Sequence, residues 1–398
     1  MSAVPVIADD AEALAVAAGL AARFREGAAE RDARRRLPRA ELEWLSASGL
    51  LAVTVPAEYG GADVRQETLA EVFRLLASAD ASLAQIPQSH FVYVNVLRRQ
   101  GTAGQKNFFF REVLAGRRFG NAQSEAGTRH VQDIRTRLEP GPGAPGSYLL
   151  TGVKHYSTGA LFADWIPVLA RAAEDDKLHV AYVPRDAPGV TVVDDWDGMG
   201  QRTTASGTVR LEAVPVPADR VVPHHLTFEG PQLHGAVAQL LHTAIDAGIA
   251  AGALAEAVEF VRTKSRPWFE SGFETAAEDP LLIQRFGELA IQVRAAEALL
   301  TVAARSVDTA RADLNDDTAA EASIAVAAAK VSAANAAVEV GSALFEVSGT
   351  RSALDTLGLH RHWRDARTHT LHDPPRWKVQ HIGRYVLNGT RPPRHSLL

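Results

Sequence analysis

The chain has 398 residues, 46% of them hydrophobic, which supports two or three domains with substantial cores. A net charge of −5 gives no attraction toward nucleic acid or an anionic membrane surface, and no run of about 18 uncharged apolar residues suggests a membrane span. The absence of cysteine excludes disulfides, thiolate nucleophiles and Cys-ligated metals, and Asp9, Asp10 and Glu12 stand where a secretory leader would be basic, so the expected compartment is the cytoplasm.

From Asp10 to about Leu114, Ala, Leu, Arg and Glu recur at helical spacing, interrupted by the turn "VPAEYGG", and an all-α domain is expected over residues 1–117. Residues 118–228 change texture. Short β-branched and aromatic runs such as "SYLLTGV", "KLHVAYVP" and "GTVRLEAVPVP" are separated by Gly, Pro and Asp, which predicts an antiparallel β-barrel or sandwich. Helical periodicity returns over 229–398. Leu282, Phe286, Leu289, Val293, Ala296, Leu300, Ala303 and Val307 keep one apolar seam, and Ile324, Val331, Val338 and Phe345 recur every seven residues in an Ala-rich stretch. The expected fold class is α+β: helical domain, β-barrel, then a C-terminal four-helix bundle shared between subunits.

Three local patterns carry no chemistry on this reading. "GPGAPG" (141–146) matches a dinucleotide-binding glycine pattern only formally, because Pro142 and Pro145 cannot sit in a glycine turn opening a helix; a hairpin loop is expected. "VVDDWDG" (192–198) lacks the register and glutamate of a calcium loop and is expected as a solvated turn. His369 and His372 are three apart, yet Pro374 and Pro375 stop a helix beside Asp373, and two imidazoles need further ligands, so no metal is expected.

The α/β/α order, together with "VPAEYGG" (55–61), "NAQSEAG" (121–127), "KHYSTGA" (154–160) and "RDARTHTLHDP" (364–374), resembles the acyl-CoA dehydrogenase superfamily over nearly the whole chain. "HYSTGALFADW", "DDWDGMGQRTTASGTV" and "ARTHTLHDPPRWK" are similar to its flavin-dependent monooxygenase branch, the sulfur-acquisition oxidoreductases and dibenzothiophene monooxygenases. The resemblance implies FMN, with FAD also open, received in reduced form from a separate NAD(P)H:flavin reductase. It further implies a homotetramer acting on a small organosulfur compound through a C4a-hydroperoxyflavin.

The same resemblance assigns Asn121, Gln123 and Ser124 to the flavin's pyrimidine edge, Tyr156 to its face and Ser157 or Thr158 to N5. Arg266 and Arg351 are assigned to its phosphate, one of them from a neighbouring subunit. Gln85, Ser89 and His90 would line the substrate wall; Gln85 and Ser89 stand where members acting on a bulky aromatic carry histidine and tyrosine, which favours a smaller, more polar substrate. His372 would donate to the oxygen adduct with Asp373 orienting it. Dehydrogenase members place a glutamate and a Gly-Thr where this chain has Asp373, Pro374 and Pro375. A dehydrogenase using Asp373 as base, and a non-catalytic scaffold, are the alternatives.

Overall fold

Caps and breaks in the sequence divide the first 114 residues into seven helices, in a computed structural model that describes residues 4–142 and 146–398. In α1 (Asp10–Arg25) the Asp9 carboxylate accepts from Glu12 N at 2.9 Å. α2 (Ala28–Arg34), α3 (Arg39–Ala47) and α4 (Gln66–Ala79) follow. Asp80 then closes α4 and, accepting from Ser82 N and Leu83 N, starts α5 (Ala81–Gln85). After α6 (Gln88–Gln100), a reciprocal Thr102/Gln105 capping box opens α7 (Ala103–Leu114).

Seven strands form one sheet: β1 (Arg137–Pro140), β2 (Tyr148–Lys154), β3 (Trp165–Ala172), β4 (Leu178–Pro184), β5 (Val190–Val193), β6 (Thr208–Val216) and β7 (Val221–Val222). Their order is β5-β6-β2-β1-β3-β4-β7. This departs from the expected closed antiparallel barrel. β5 and β7 are two unpaired-edge strands, and β1 pairs in parallel with β3, because β2 uses its other side for β6 and leaves that side of β1 to the strand returning after residue 164. Gly141 N donates to Ser147 O at 2.8 Å across the β1–β2 connection, while residues 143–145 of "GPGAPG" lie outside the described residues. Two of the three aspartates of "VVDDWDG" are not merely solvated: Asp194 pairs with Arg35 at 2.5 Å, and Asp195 accepts from the Thr208 N–H and hydroxyl at 2.8 and 2.7 Å.

The remaining helices are α8 (His234–Thr263), α9 (Pro280–Ala312), α10 (Asp316–Ser348), α11 (His360–His369) and α12 (Pro375–Asn388). Three long helices and two short ones thus stand where a four-helix bundle is expected. α8 crosses α4 at backbone contact: a Cβ on Gly248 would lie 2.4 Å from Arg74 O, and one on Gly252 would lie 2.5 Å from Ser78 O. The helices before and after the sheet therefore share one core, with Phe73 and Leu76 packed among Leu240, Leu241 and Ile245.

On α9 the expected seam is buried from Leu289 to Val307, with Leu282 and Phe286 packed at its edge. On α10 the buried face is mainly alanine, including Ala322, Ala329, Ala333, Ala336 and Ala337; of the seven-residue set Ile324 is buried, whereas Val331, Val338 and Phe345 are half-buried on its flank. Among the described helices, α10 is long and apolar enough to cross a membrane, yet most of that stretch is buried within the protein, where it packs on α8 and α9 and holds Lys330 fully enclosed.

The middle of α11 is tied to the β domain. Gln201 N donates to Asp365 Oδ1 at 2.5 Å, and Gly200 leaves no room for a Cβ against Arg364 O. Burial first, then the neighbouring Asp32, raises the Asp365 pKa to about 7. A carboxyl raised in the fold binds more protons there than in the unfolded chain between about pH 4 and 7, so its contribution to stability is lost as pH rises through that window. Asp365→Asn should flatten this part of the stability profile, measured as the denaturation midpoint between about pH 5 and 8; an unchanged slope removes Asp365 as its source.

Candidate active site

Two turns of the β domain carry buried polar atoms that have no partner among the described residues. Residues 121–124 run beside β3, with Ala122 N donating to Pro167 O at 3.2 Å, and beside the end of β2, with His155 N donating to Ser124 O at 2.9 Å. Lys154 anchors this run from behind: its fully buried ammonium donates to Gln123 O at 3.1 Å and Glu125 Oε1 at 2.8 Å. Desolvation brings the Lys154 pKa down to about 8, with Glu125 opposing the fall. Asn121 Oδ1, on the same run, is buried with no partner among the described residues.

The second turn reverses at Tyr156, which has a left-handed φ of 56°, and Gly159, at 75°. Ser157 is 1% exposed and its hydroxyl has no partner among the described residues, whereas Thr158 Oγ1 lies 2.7 Å from Ser206 Oγ, which in turn meets Thr204 Oγ1 at 2.7 Å. Of the two hydroxyls proposed for one role, Ser157 is free and Thr158 is used in the interior. Tyr156 is 61% exposed and meets Trp196 edge-on at 6.4 Å. A Cβ on Gly159 would sit 3.1 Å from Ile86 O, so this turn abuts the α5–α6 elbow that carries Gln85 and Ser89.

His90 does not belong with them. Its Nε2 lies 2.9 Å from Leu51 O and its Nδ1 accepts from Phe119 N at 3.0 Å, so both ring nitrogens are used in joining the helical and β domains. The expectation that it lines the substrate wall is corrected on that ground. Ser89 Oγ donates to Gln88 Oε1 at 3.4 Å, and Gln88 Nε2 to Ala238 O on α8. Gln85 Oε1 lies 3.1 Å from His369 Nε2.

His372 follows α11 in a turn closed by its N–H to His369 O at 3.0 Å; the residue is exposed, but one face of its ring is covered by buried His242, with centroids 4.0 Å apart. Desolvation, with Lys330, His369 and Lys378 adding to it and Asp373 opposing, holds its pKa below the ordinary imidazole range. Asp373 does not hydrogen-bond His372 among the described residues. Its carboxylate lies 2.8 Å from Lys378 Nζ on α12, an ion pair off the line of a good hydrogen bond, because Pro374 and Pro375 turn the chain directly into that helix. Burial acts to raise the Asp373 pKa, but Lys378 and Lys330 overcome it and hold it below the usual carboxylate range. The expected orienting hydrogen bond is thereby replaced by a charge near the ring.

Behind these residues lies a group that the sequence reading missed. Asp246 on α8 and Lys330 on α10 are fully buried and pair at 2.9 Å, and His369 Nδ1 lies 2.5 Å from the other Asp246 oxygen. Both His369 nitrogens are thus taken, and no group of three or more His, Cys, Asp or Glu able to hold a metal occurs among the described residues. The available signal was a charge standing alone in a long stretch free of other Asp, Glu, Lys or Arg: Asp246 within residues 234–255 of α8 and Lys330 within residues 322–338 of α10. Arg266 and Arg351 stand apart from this cluster, exposed and without a carboxylate partner among the described residues.

Models of the N-terminal, middle and C-terminal domains of acyl-CoA dehydrogenase match residues 11–117, 119–214 and 240–374. The chain is 36% identical to a dibenzothiophene monooxygenase of Rhodococcus erythropolis over 98% of its own length and 96% of that protein's. It is 32% identical to a probable FMNH2-dependent monooxygenase, SfnC, of Pseudomonas putida over 98% of each. The crystal structure of FMN-bound TdsC from Paenibacillus sp. A11-2 superposes with a TM-score of 0.92 at 34% identity, covering 97% of this chain and 100% of that one. With the three domain models in order and relatives matched end to end, the chain belongs to the acyl-CoA dehydrogenase family, in its flavin-dependent monooxygenase branch.

Proposed function

We propose that the protein is the oxygenase of a two-component system: it takes FMN already reduced by a separate NAD(P)H:flavin reductase and uses O2 to oxygenate a small, polar organosulfur compound in cytoplasmic sulfur acquisition. The observation that carries this reading is the pair of buried, unpartnered atoms Asn121 Oδ1 and Ser157 Oγ on adjoining turns, which fit the polar edge of a flavin ring. When bound, the reduced flavin supplies the two electrons that activate O2.

This chain's residues divide the remaining work. Asn121, Gln123 and Ser124 bind the ring's pyrimidine edge, Ser157 holds a proton-bearing nitrogen, Tyr156 covers a face, and Arg266 and Arg351 take the phosphate. His372 donates from a neutral ring, and Gln85 with His242 makes the substrate wall polar, which suits a sulfinate, sulfone or small thioether better than a fused aromatic. Asp373 is a poor α-proton base, because Lys378 stabilises its charged form; this disfavours the dehydrogenase reading. Single turnover with chemically reduced FMN and O2 across these sulfur classes tests the proposal. An oxygenated product is expected; anaerobic bleaching of bound flavin by an acyl-CoA, with no product under O2, defeats it.

The phosphate assignment is separately testable. Arg351→Ala should weaken FMN by about 2–3 kcal/mol, the scale of a charge-assisted contact, in titration calorimetry; unchanged affinity removes Arg351 from the site.

We also propose a homotetramer built on a bundle completed between subunits. The outer side of α9 exposes Leu281 (75%), Ile283 (58%), Ile291 (68%) and Val302 (58%), and Trp268 and Phe269 stand exposed beside Arg266, more apolar surface than a monomer leaves in water. Light scattering at micromolar concentration should give four chains; a monomer contradicts it.

A further inference from the structure

A second imidazole stands beside His372, and the mechanism above uses it only as part of the substrate wall. His242, 3% exposed in the first third of α8, stacks on His372 at 4.0 Å between centroids with planes at 35°. Its Nδ1 lies 3.0 Å from His369 Nε2. From there the chain of contacts continues through His369 Nδ1 to Asp246 Oδ1 at 2.5 Å and from Asp246 Oδ2 to Lys330 Nζ at 2.9 Å. His242 Nε2 has no hydrogen-bond partner among the described residues, and the ring borders the solvent-facing cleft at exposed His372.

The proton positions along this chain are constrained. Lys330 and His369 hold Asp246 as a carboxylate although burial opposes it, and a carboxylate only accepts, so His369 carries a proton on Nδ1. His369 Nε2 then has two states. With a lone pair it accepts from His242 Nδ1–H, and His242 offers the cleft an acceptor. With a proton it donates to His242 Nδ1, and His242 offers the cleft an N–H. The Gln85 amide, 3.1 Å from the same nitrogen, can turn its oxygen or its NH2 toward His369 to match either state. One proton crossing the 3.0 Å between the rings, coupled to uptake or release of another at His242 Nε2, therefore inverts the character of the group next to His372.

We propose that Lys330, Asp246, His369 and His242 form a proton relay ending in the cleft, with His242 as the proton donor to the oxygen that leaves as water, and Asp246 and Lys330 as positioning residues. The proposal rests on the monooxygenase reading. In the overall reaction the reduced flavin brings two electrons and two hydrogens, one O2 atom goes to sulfur and the other to water. The relay lends one proton: the His242 Nε2–H bond breaks, the His242 Nδ1–H bond forms as His369 Nε2 gives up its proton, and the loan is returned when the flavin releases its own. Asp246 and Lys330 change no protonation state. Desolvation, then His372, Lys330, His369 and Lys378, hold the His242 pKa well below its ordinary range, so this ring passes protons without storing charge.

The test uses the full-length chain. In ligand-free protein, proton NMR should show a strongly deshielded, exchange-protected imidazole proton between His369 and Asp246, lost in Asp246→Asn and kept in His242→Phe, which preserves the stacked ring. In single turnover with reduced FMN, O2 and a saturating small alkanesulfinate, His242→Phe should lower product per O2 consumed by about tenfold or more, with peroxide released instead. The wild-type rate should slow in D2O, and the variant's residual rate should not. Product yield retained by folded His242→Phe overturns the relay while leaving the monooxygenase standing. The deshielded proton surviving in Asp246→Asn likewise overturns it. Absence of oxygenated product from wild type across sulfinates, sulfones and thioethers defeats the monooxygenase reading itself, whatever the NMR shows.

Discussion

Arg31→Met should lower the unfolding free energy by about 3–5 kcal/mol, the scale for removing one partner from a buried ion pair. Arg31 is 1% exposed and serves two carboxylates: its Nε and Nη2 reach Asp80 Oδ2 at 3.0 and 2.9 Å, and its Nη1 reaches Glu41 Oε1 at 3.0 Å. The same guanidinium donates to the carbonyls of Phe24 and Glu26. Methionine fills much of the volume but leaves enclosed Asp80 without its ion-pair partner and enclosed Glu41 with only Arg36, 3.5 Å away. Asp80 feels burial first, which raises its pKa, and Arg31 as the main opposing charge, so its loss drives Asp80 toward protonation.

That change reaches the active site through one helix. Asp80 Oδ1 caps α5, and the last residue of α5 is Gln85, the partner of His369. Arg31→Met should therefore reduce product yield as well as stability. Arg31→Lys, which keeps the charge but not the planar fork, should recover only part of either. Denaturant titration measures the first effect and single turnover the second; a stability loss below about 1 kcal/mol, the range of an exposed pair, contradicts the argument.

The sequence made legible whatever depends on local periodicity and on contiguous motifs. The change from helical spacing to short β-branched runs and back marks where the strands begin and end, and the Leu289 to Val307 seam on α9 is read directly from its spacing. On α10, large residues drew attention to Ile324, Val331, Val338 and Phe345, but backbone proximity selects for small size, and alanines make the closest-packed face. Sheet closure was not legible, since the parallel β1–β3 pairing depends on which side of β1 is left vacant.

Within the site, contiguity was a mixed guide. "NAQSEAG" and "HYSTG" contain the two orphaned atoms, yet neither motif says that Thr158 is engaged by Ser206, 48 residues away, or that His90 faces Leu51 and Phe119 instead of following Ser89. Asp373 adjoins His372 in sequence and pairs with Lys378, because the two prolines aim it at α12. The Asp246–Lys330 pair joins residues 84 apart on two helices, so no single motif contains it.

His372→Ala should have the largest effect on chemistry. Product formation is expected to fall by about 100-fold or more, within the range for a lost acid–base group, while O2 uptake continues and hydrogen peroxide replaces the oxygenated product. The ring lies at the cleft end of α11, exposed on one side and stacked on His242 on the other, so its removal takes away a donor without opening the core. FMN affinity should change little, because the orphaned atoms assigned to the flavin lie on the β-domain turns and not on this segment. Since desolvation holds the His372 pKa below the ordinary imidazole value of about 6.5, the wild-type yield should be flat between about pH 6 and 8, where an unperturbed histidine titrates. Asp373→Asn should act differently. It leaves Lys378 enclosed without its carboxylate while the carbonyl of Leu397 remains as a partner, so it should destabilise α12 and the C-terminal residues and reduce product yield less than His372→Ala does. Peroxide and product measured side by side for both variants decide the matter. A larger loss of product in Asp373→Asn, at equal folding, would transfer the principal role from the imidazole to the carboxylate and revive the dehydrogenase alternative.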